Sequence, residues 1–218
     1  MKRNFDLLVF DWDGTLVDSA AHIVSSIQAA CRDLDLPVPS DSIARYVIGL
    51  GLQDALEYVL PDLDTSRHAE VAERYRIHFL ASNQGSVLFP QVGEGIARLE
   101  ESGMLLAVAT GKSRRGLDRS LQLTGLTGRF SASRCADEGF PKPHPDMLER
   151  LMYMLGVSPR RTLMIGDTTH DLNMASNAGT AAVAVTYGAH PRPALEELSP
   201  LACVESFAEL MEWLDGNA

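Results

Sequence analysis

Four short apolar runs punctuate the chain, at Phe5–Phe10, Leu105–Ala109, Thr162–Ile165 and Ala182–Thr186, with a weaker one at Phe130–Ser133. Runs of this length read as buried strands. Between the later runs the apolar positions fall at helical spacing instead. Gly95–Ser102 predicts a helix closed by Gly103, and Ser113–Thr124 predicts another after the second strand. Asp146–Leu155 carries Leu148, Leu151, Met152 and Leu155 on one face, with Pro145 near its first turn and Gly156 beyond its end. Strand alternating with helix in this way predicts an α/β fold around a parallel, doubly wound, Rossmann-like sheet.

The stretch from about Ser19 to Leu88 breaks the pattern, because it holds no convincing strand. Ile23, Ile27, Ala30, Cys31 and Leu34 form one helical stripe, Ser40 is placed to cap a second helix, and Val71, Tyr75, His78 and Phe79 mark a longer one. So long a segment exceeds an ordinary crossover and reads as a helical insertion, with hinges at Val17–Ser19 and Gly85–Pro90. The resulting division is 1–17 and 88–218 as the sheet domain and 18–87 as the helical one. No internal repeat or low-complexity segment interrupts it.

Composition narrows the setting. The chain has 218 residues, 45% hydrophobic and 22% charged, which suits a soluble globular protein with a real core. A net charge of −10 without any Lys/Arg run argues against nucleic acid or an anionic membrane as partner. It does not argue against an anionic substrate, which needs only a locally positive site. The apolar stretch after the basic Met1-Lys2-Arg3-Asn4 is too short for a signal-peptide core, and no run reaches membrane-spanning length. Cys31, Cys135 and Cys203 lack Cys-x-x-Cys spacing and read as reduced thiols, so a cytoplasmic location is expected.

The chemistry concentrates where the runs end. The first run leads into Asp11-Trp12-Asp13-Gly14-Thr15-Leu16-Val17-Asp18-Ser19, with Gly14 as the turn. Two carboxylates are thereby held at the C-terminal edge of the sheet, where open α/β sheets bind ligands. Side by side they repel, which calls for a cation or a shared proton. A solvated acidic turn would carry the same letters. The second strand ends in Ala109-Thr110-Gly111-Lys112-Ser113, offering a hydroxyl and free N–H groups to an anion. Lys142 lies in Pro141-Lys142-Pro143-His144-Pro145, bracketed by prolines that restrict the backbone on both sides. Gly166-Asp167-Thr168-Thr169-His170-Asp171 follows the strand at Thr162–Ile165.

Taken in order, these four segments resemble the motifs of the haloacid dehalogenase-like superfamily, and the resemblance covers nearly the whole chain. It implies a helical cap over the site and a phosphatase whose nucleophile is Asp11, transiently phosphorylated, with Asp13 as general acid/base. It further implies that Thr110 and Gly111 bind the phosphoryl oxygens and that Lys142 neutralises nucleophile and phosphate. Mg²⁺ would be held by Asp11, the backbone carbonyl of Asp13, Asp167 and, directly or through water, Asp171. Oxygen donors without a Cys/His cluster also favour Mg²⁺ over zinc. Within the family the chain is most like the phosphoglycolate phosphatase-like branch, which implies a small phosphorylated metabolite as substrate and a monomer or small homo-oligomer.

Formal charge ties the set together. Asp11, Asp13, Asp167 and Asp171 against Lys142 sum to −3; a divalent cation brings this to −1, and a proton on Asp13 to zero. Asp13 is accordingly expected to enter the cycle protonated. Three rival readings meet contrary features in the chain. A β-phosphoglucomutase-type phosphomutase would carry Arg where this chain has Leu52. A 2-haloacid dehalogenase typically lacks the second Asp, present here as Asp13. A phosphate-accepting signalling module lacks both the helical cap and the Pro-bracketed Lys. Arg45, Gln53 and His22 stand as candidate substrate contacts in the helical insertion, while His144 reads as a helix-start residue and Trp12 as packing.

Overall fold

A computed structural model describes residues 4–81 and 86–217. Six parallel strands form one sheet in the order β3-β2-β1-β4-β5-β6. They are β1 (Leu7–Phe10), β2 (Leu105–Thr110), β3 (Ala132–Cys135), β4 (Thr162–Gly166), β5 (Ala181–Val185) and β6 (Cys203–Val204). Central β1 pairs with β2 on one side and β4 on the other, and all four of its residues are buried. Its side chains alternate between two cores. Leu8 and Phe10 join Val92, Ile96, Leu117 and Phe207 on one face, whereas Leu7 and Val9 meet Met147, Leu151 and Met174 on the other. That two-sided burial is why the strand sequences are continuously apolar.

The helices of the sheet domain are α5 (Val92–Glu101), α6 (Arg114–Thr124), α7 (Asp146–Leu155), α8 (Thr169–Ala178), α9 (Arg192–Glu196) and α10 (Phe207–Asn217). Sequence and structure agree closely on α6 and α7: the Ser113 hydroxyl accepts from Gly116 N, and Gly156 turns the chain out of α7 at φ 67°. Five of the described strands and α-helices escaped the pattern. β6 has two residues, α9 precedes it and α10 follows it without a strand of ordinary length to frame them, and α8 begins inside the acidic Gly166–Asp171 segment. The fifth, α3, is treated next.

Between β1 and α5, every regular element among the described residues is helical: α1 (Ala20–Asp33), α2 (Asp41–Tyr46), α3 (Leu52–Val59), a 3₁₀ turn at Thr65–Arg67, and α4 (His68–Leu80). The Ser40 hydroxyl accepts from Ile43 N and so caps α2 as its sequence position suggests. In the Gly49–Asp54 segment only Gly49–Gly51 belong to a loop; from Leu52 onward it is α3. Helices α1 and α4 pack against one another through Ile23, Ile27, Tyr75 and Phe79. The two connections to the sheet run side by side, with Asp18 N donating to Val87 O (2.8 Å) and Phe89 N to Leu16 O (3.0 Å). Gly85, at the start of the second expected hinge, lies outside the described residues.

Candidate active site

The chain leaves β1 to one side, builds β2 and β3, and returns to place β4 on β1's other flank. Loops after β1 and β4 therefore diverge and open a crevice at the strands' C-terminal ends. Asp11 and Asp13 follow β1, and Asp167 and Asp171 follow β4. Carboxylate oxygens of Asp11, Asp167 and Asp171 lie within 4.8 Å of one another, and all three residues are buried. Thr110 closes β2 beside them.

Lys142 holds this cluster from within. Its Nζ donates to Asp11 Oδ1 at 2.6 Å and forms an ion pair with Asp171 Oδ1, also at 2.6 Å. Burial alone would strip the ammonium proton, but the two carboxylates outweigh it and hold the Lys142 pKa above its ordinary value. Burial pushes the Asp11 carboxyl well above the usual carboxylate range, with Lys142 pulling the other way. Its Oδ2 is buried and has no hydrogen-bond partner among the described residues.

Asp167 is held more completely. Thr15 Oγ1 donates to its Oδ1 at 2.8 Å and Ala189 N to its Oδ2 at 2.7 Å. Burial first, then the charge of Asp171, raise its pKa to about 7. Gly14, at φ +83°, presses its Cα against this carboxylate so closely that a Cβ there would overlap the Asp167 oxygens. Asp171 sits at the third position of α8. Its Oδ2 accepts from Thr168 N (3.1 Å) and Thr168 Oγ1 (2.6 Å), completing a capping box. The same residue thus starts a helix and supplies a charge to the cluster. Three crowded carboxylates with oxygen donors and an unpartnered Asp11 Oδ2 fit a hard divalent cation.

Asp13 stands apart from the trio. Its Oδ1 accepts from Ser19 Oγ at 2.6 Å, and its Oδ2 pairs with Lys112 Nζ at 2.9 Å. Lys112 was passed over in sequence because it looked like one residue of the Thr-Gly turn; its place directly after Thr110 and Gly111 was the available signal. Counting it, four carboxylates face two ammonium groups, and the formal sum is −2 where the sequence count reached −3. Lys112 Nζ also lies 4.7 Å from the centroid of the Phe79 ring, linking the Asp13 loop to α4.

The helical insertion lies directly over this edge. A Cβ on Gly111 would stand 2.5 Å from Leu50 O and 2.6 Å from Gly49 O, so only glycine lets the insertion's backbone approach the Thr110 loop. Nearby, Tyr46 O receives His170 Nε2 at 2.7 Å and His190 Nε2 at 3.0 Å, and the Tyr46 ring stacks on His190. Thr169 N donates to His190 Nδ1, which leaves Nε2 as the protonated nitrogen. Burial lowers the pKa of both histidines. Neither histidine stood out as a contact in the sequence, since each acts through a backbone carbonyl far away along the chain.

Other sequence candidates fall elsewhere. Gln53 donates to Glu57 on the exposed side of α3. His22 bonds Phe79 O within the helical insertion at 2.9 Å. Arg45 lies outside the cavity that adjoins Asp13. His144 Nδ1 accepts from Asp146 N, in keeping with a helix-start role. Trp12 is fully buried and donates from Nε1 to Ser120 Oγ at 2.8 Å, so it packs in the core.

Known proteins fit this geometry. A family model described as haloacid dehalogenase-like hydrolase matches residues 8–185. The chain is similar to "Probable phosphatase IndB" of Dickeya dadantii, 38% identical over 210 residues that cover 94% of this chain and 91% of that one. It is also similar to a phosphoglycolate phosphatase of Mannheimia succiniciproducens, at 31% identity over 97% and 99% of the two chains. Among solved structures, a predicted phosphoglycolate phosphatase from Haemophilus somnus superimposes with a TM-score of 0.85 at 27% identity, covering 97% of this chain and 99% of that one. With its motifs gathered at the switch point of a parallel sheet, the chain belongs to the haloacid dehalogenase-like hydrolase family.

Proposed function

We propose that this hydrolase is a Mg²⁺-dependent phosphatase that cleaves a small soluble phosphomonoester through an aspartyl phosphate on Asp11. The observation that carries the reading is the state of Asp11: one oxygen is anchored by Lys142, and the other is buried without a partner at the crevice. Asp11 attacks phosphorus and Asp13 delivers a proton to the departing alkoxide oxygen. Asp13 then takes a proton from water as that water attacks phosphorus, which returns the Asp11 carboxylate and releases inorganic phosphate. The Thr110 hydroxyl and Gly111 N–H bind the non-bridging oxygens, and Lys142 offsets their charge.

Asp11, Asp167, Asp171 and the Asp13 carbonyl would hold the Mg²⁺. When bound, the ion offsets the charge of nucleophile and phosphate. Residues 1–17 and 88–218 serve as the catalytic domain and 18–87 as a cap that excludes bulk water. Relatives named phosphoglycolate phosphatase make that ester the first to try.

The test is a phosphate-release screen of purified protein against phosphoglycolate, sugar phosphates, nucleotides and pyrophosphate, each with Mg²⁺ and with EDTA. Release that needs metal and disappears in Asp11→Asn is expected. Undiminished turnover by Asp11→Asn would overturn the nucleophile assignment, and undiminished turnover by Asp13→Asn would overturn the acid/base assignment.

A further inference from the structure

A cavity of about 780 Å³ begins at Asp13, Gly111 and Lys112 and continues into the helical insertion between α1, α3 and α4. Much of its wall is hydrocarbon: Ile23, Ile27, Leu52, Leu56, Leu60 and Val71 are among the lining residues. Close to Asp13 the wall is aromatic, with the Tyr75 and Phe79 rings stacked at 5.6 Å. The Tyr75 hydroxyl makes no hydrogen bond among the described residues. Ligand sites of this size and lining suit a drug-sized apolar group with few polar anchors. Water in such a space finds few partners, so its displacement by hydrocarbon is favourable.

Charge placement argues the same way. A short ester that carries a carboxylate beside its phosphate, such as phosphoglycolate, calls for a second cation close to the phosphate site. Of the cations lining the cavity, Lys112 stands beside Asp13 and is already paired with it at 2.9 Å. Arg76 is paired with Glu73, and Arg115 and Arg119 are exposed along α6. Because the cavity opens onto Asp13, its occupant must be the group attached to the ester oxygen that Asp13 protonates.

We infer that the preferred substrate is the phosphomonoester of a hydrocarbon-rich alcohol, whose apolar body fills the cavity between α1, α3, α4 and α6. This inference rests on the phosphatase reading and narrows its substrate class. The helical insertion then selects by apolar fit, while the phosphate site treats all esters alike.

The experiment measures kcat/KM of the full-length protein with Mg²⁺ for ethyl, butyl and hexyl phosphate, 4-phenylbutyl phosphate and phosphoglycolate. The unsubstituted primary alkyl alcohols have nearly equal leaving-group acidity, so differences among their esters report binding of the chain. The expected result is a rise of about threefold or more per added methylene, with the hexyl and phenylbutyl esters well above phosphoglycolate. Ala55→Phe, which fills the cavity from α3, should collapse the hexyl-to-ethyl ratio at least tenfold. A flat or falling series, or phosphoglycolate as the best substrate, would overturn the inference and leave the phosphatase standing. Absence of metal-dependent release from every ester would instead overturn the phosphatase reading itself. The wild-type series decides even if Ala55→Phe fails to fold.

Discussion

Lys142 is a charged side chain with 1% of its surface exposed, and Lys142→Met removes the charge while keeping most of the stem. Its Nζ lies 2.6 Å from an oxygen of Asp11 and 2.6 Å from one of Asp171. At an effective dielectric of ~20, each attraction is about 6 kcal/mol. Desolvation of three charged groups takes back several kcal/mol apiece, so the net is far smaller. Removing one partner from such a cluster costs about 3–5 kcal/mol, a large part of a typical total of about 5–15 kcal/mol.

The sign of the pH effect follows from Asp11. Burial already holds its folded-state pKa above the unfolded value, and Lys142 is the group that pulls it back. Without Lys142 the folded form binds more protons than the unfolded form over a wider range above about pH 4, so stability falls as pH rises through that range. Urea unfolding in EDTA should show a deficit of about 3–5 kcal/mol near pH 8, smaller by at least ~1 kcal/mol near pH 5.5. A deficit below ~1 kcal/mol, or one equal at both pH values, would refute the reasoning.

Three further outcomes are expected. With the Asp167 carboxyl titrating at about 7, metal must displace its proton in acid, so Mg²⁺ affinity by calorimetry should weaken about tenfold per unit below that pH; constant affinity would contradict the metal role of Asp167. Gly111→Ala should force the Gly49–Leu50 backbone away at a cost of about 1–3 kcal/mol and lower kcat on every ester; normal turnover would mean the loop and the helical insertion do not meet in the working enzyme. Trp12→Phe should lose about 1–3 kcal/mol in chemical unfolding by orphaning Ser120, with kcat changed less than severalfold; a large fall in kcat would give Trp12 a role in the chemistry.

Much of the architecture was legible because its causes are local. β1, β2 and β4 are buried on both faces, so each shows as an apolar run, and Ser113 and Gly156 mark helix ends through their own backbone and side-chain chemistry. β6 escaped because two residues leave no periodicity to read. The start of α3 was hidden by Gly49 and Gly51, which read as turn residues although Gly51 stands at the helix's N-terminal boundary.

Sequence by itself determined that Asp11, Asp13, Thr110, Gly111, Asp167 and Asp171 come just after apolar runs or at their ends and that Lys142 stands between two prolines, hence the candidate set. Register along a parallel strand is written in consecutive residues, and so is the chemistry of its last one. Only the tertiary structure decided how those groups divide. Lys142 lies between Asp11 and Asp171, while Asp13 turns away to Ser19 and Lys112. The bonds from His170 and His190 to Tyr46 O, and the apolar cavity beyond Asp13, were equally a matter of packing. Asp11 with Lys142, and Tyr46 with His170 and His190, join segments more than a hundred residues apart, and the cavity depends on the space helices leave between them. Neither quantity has a signature in the order of residues along one chain.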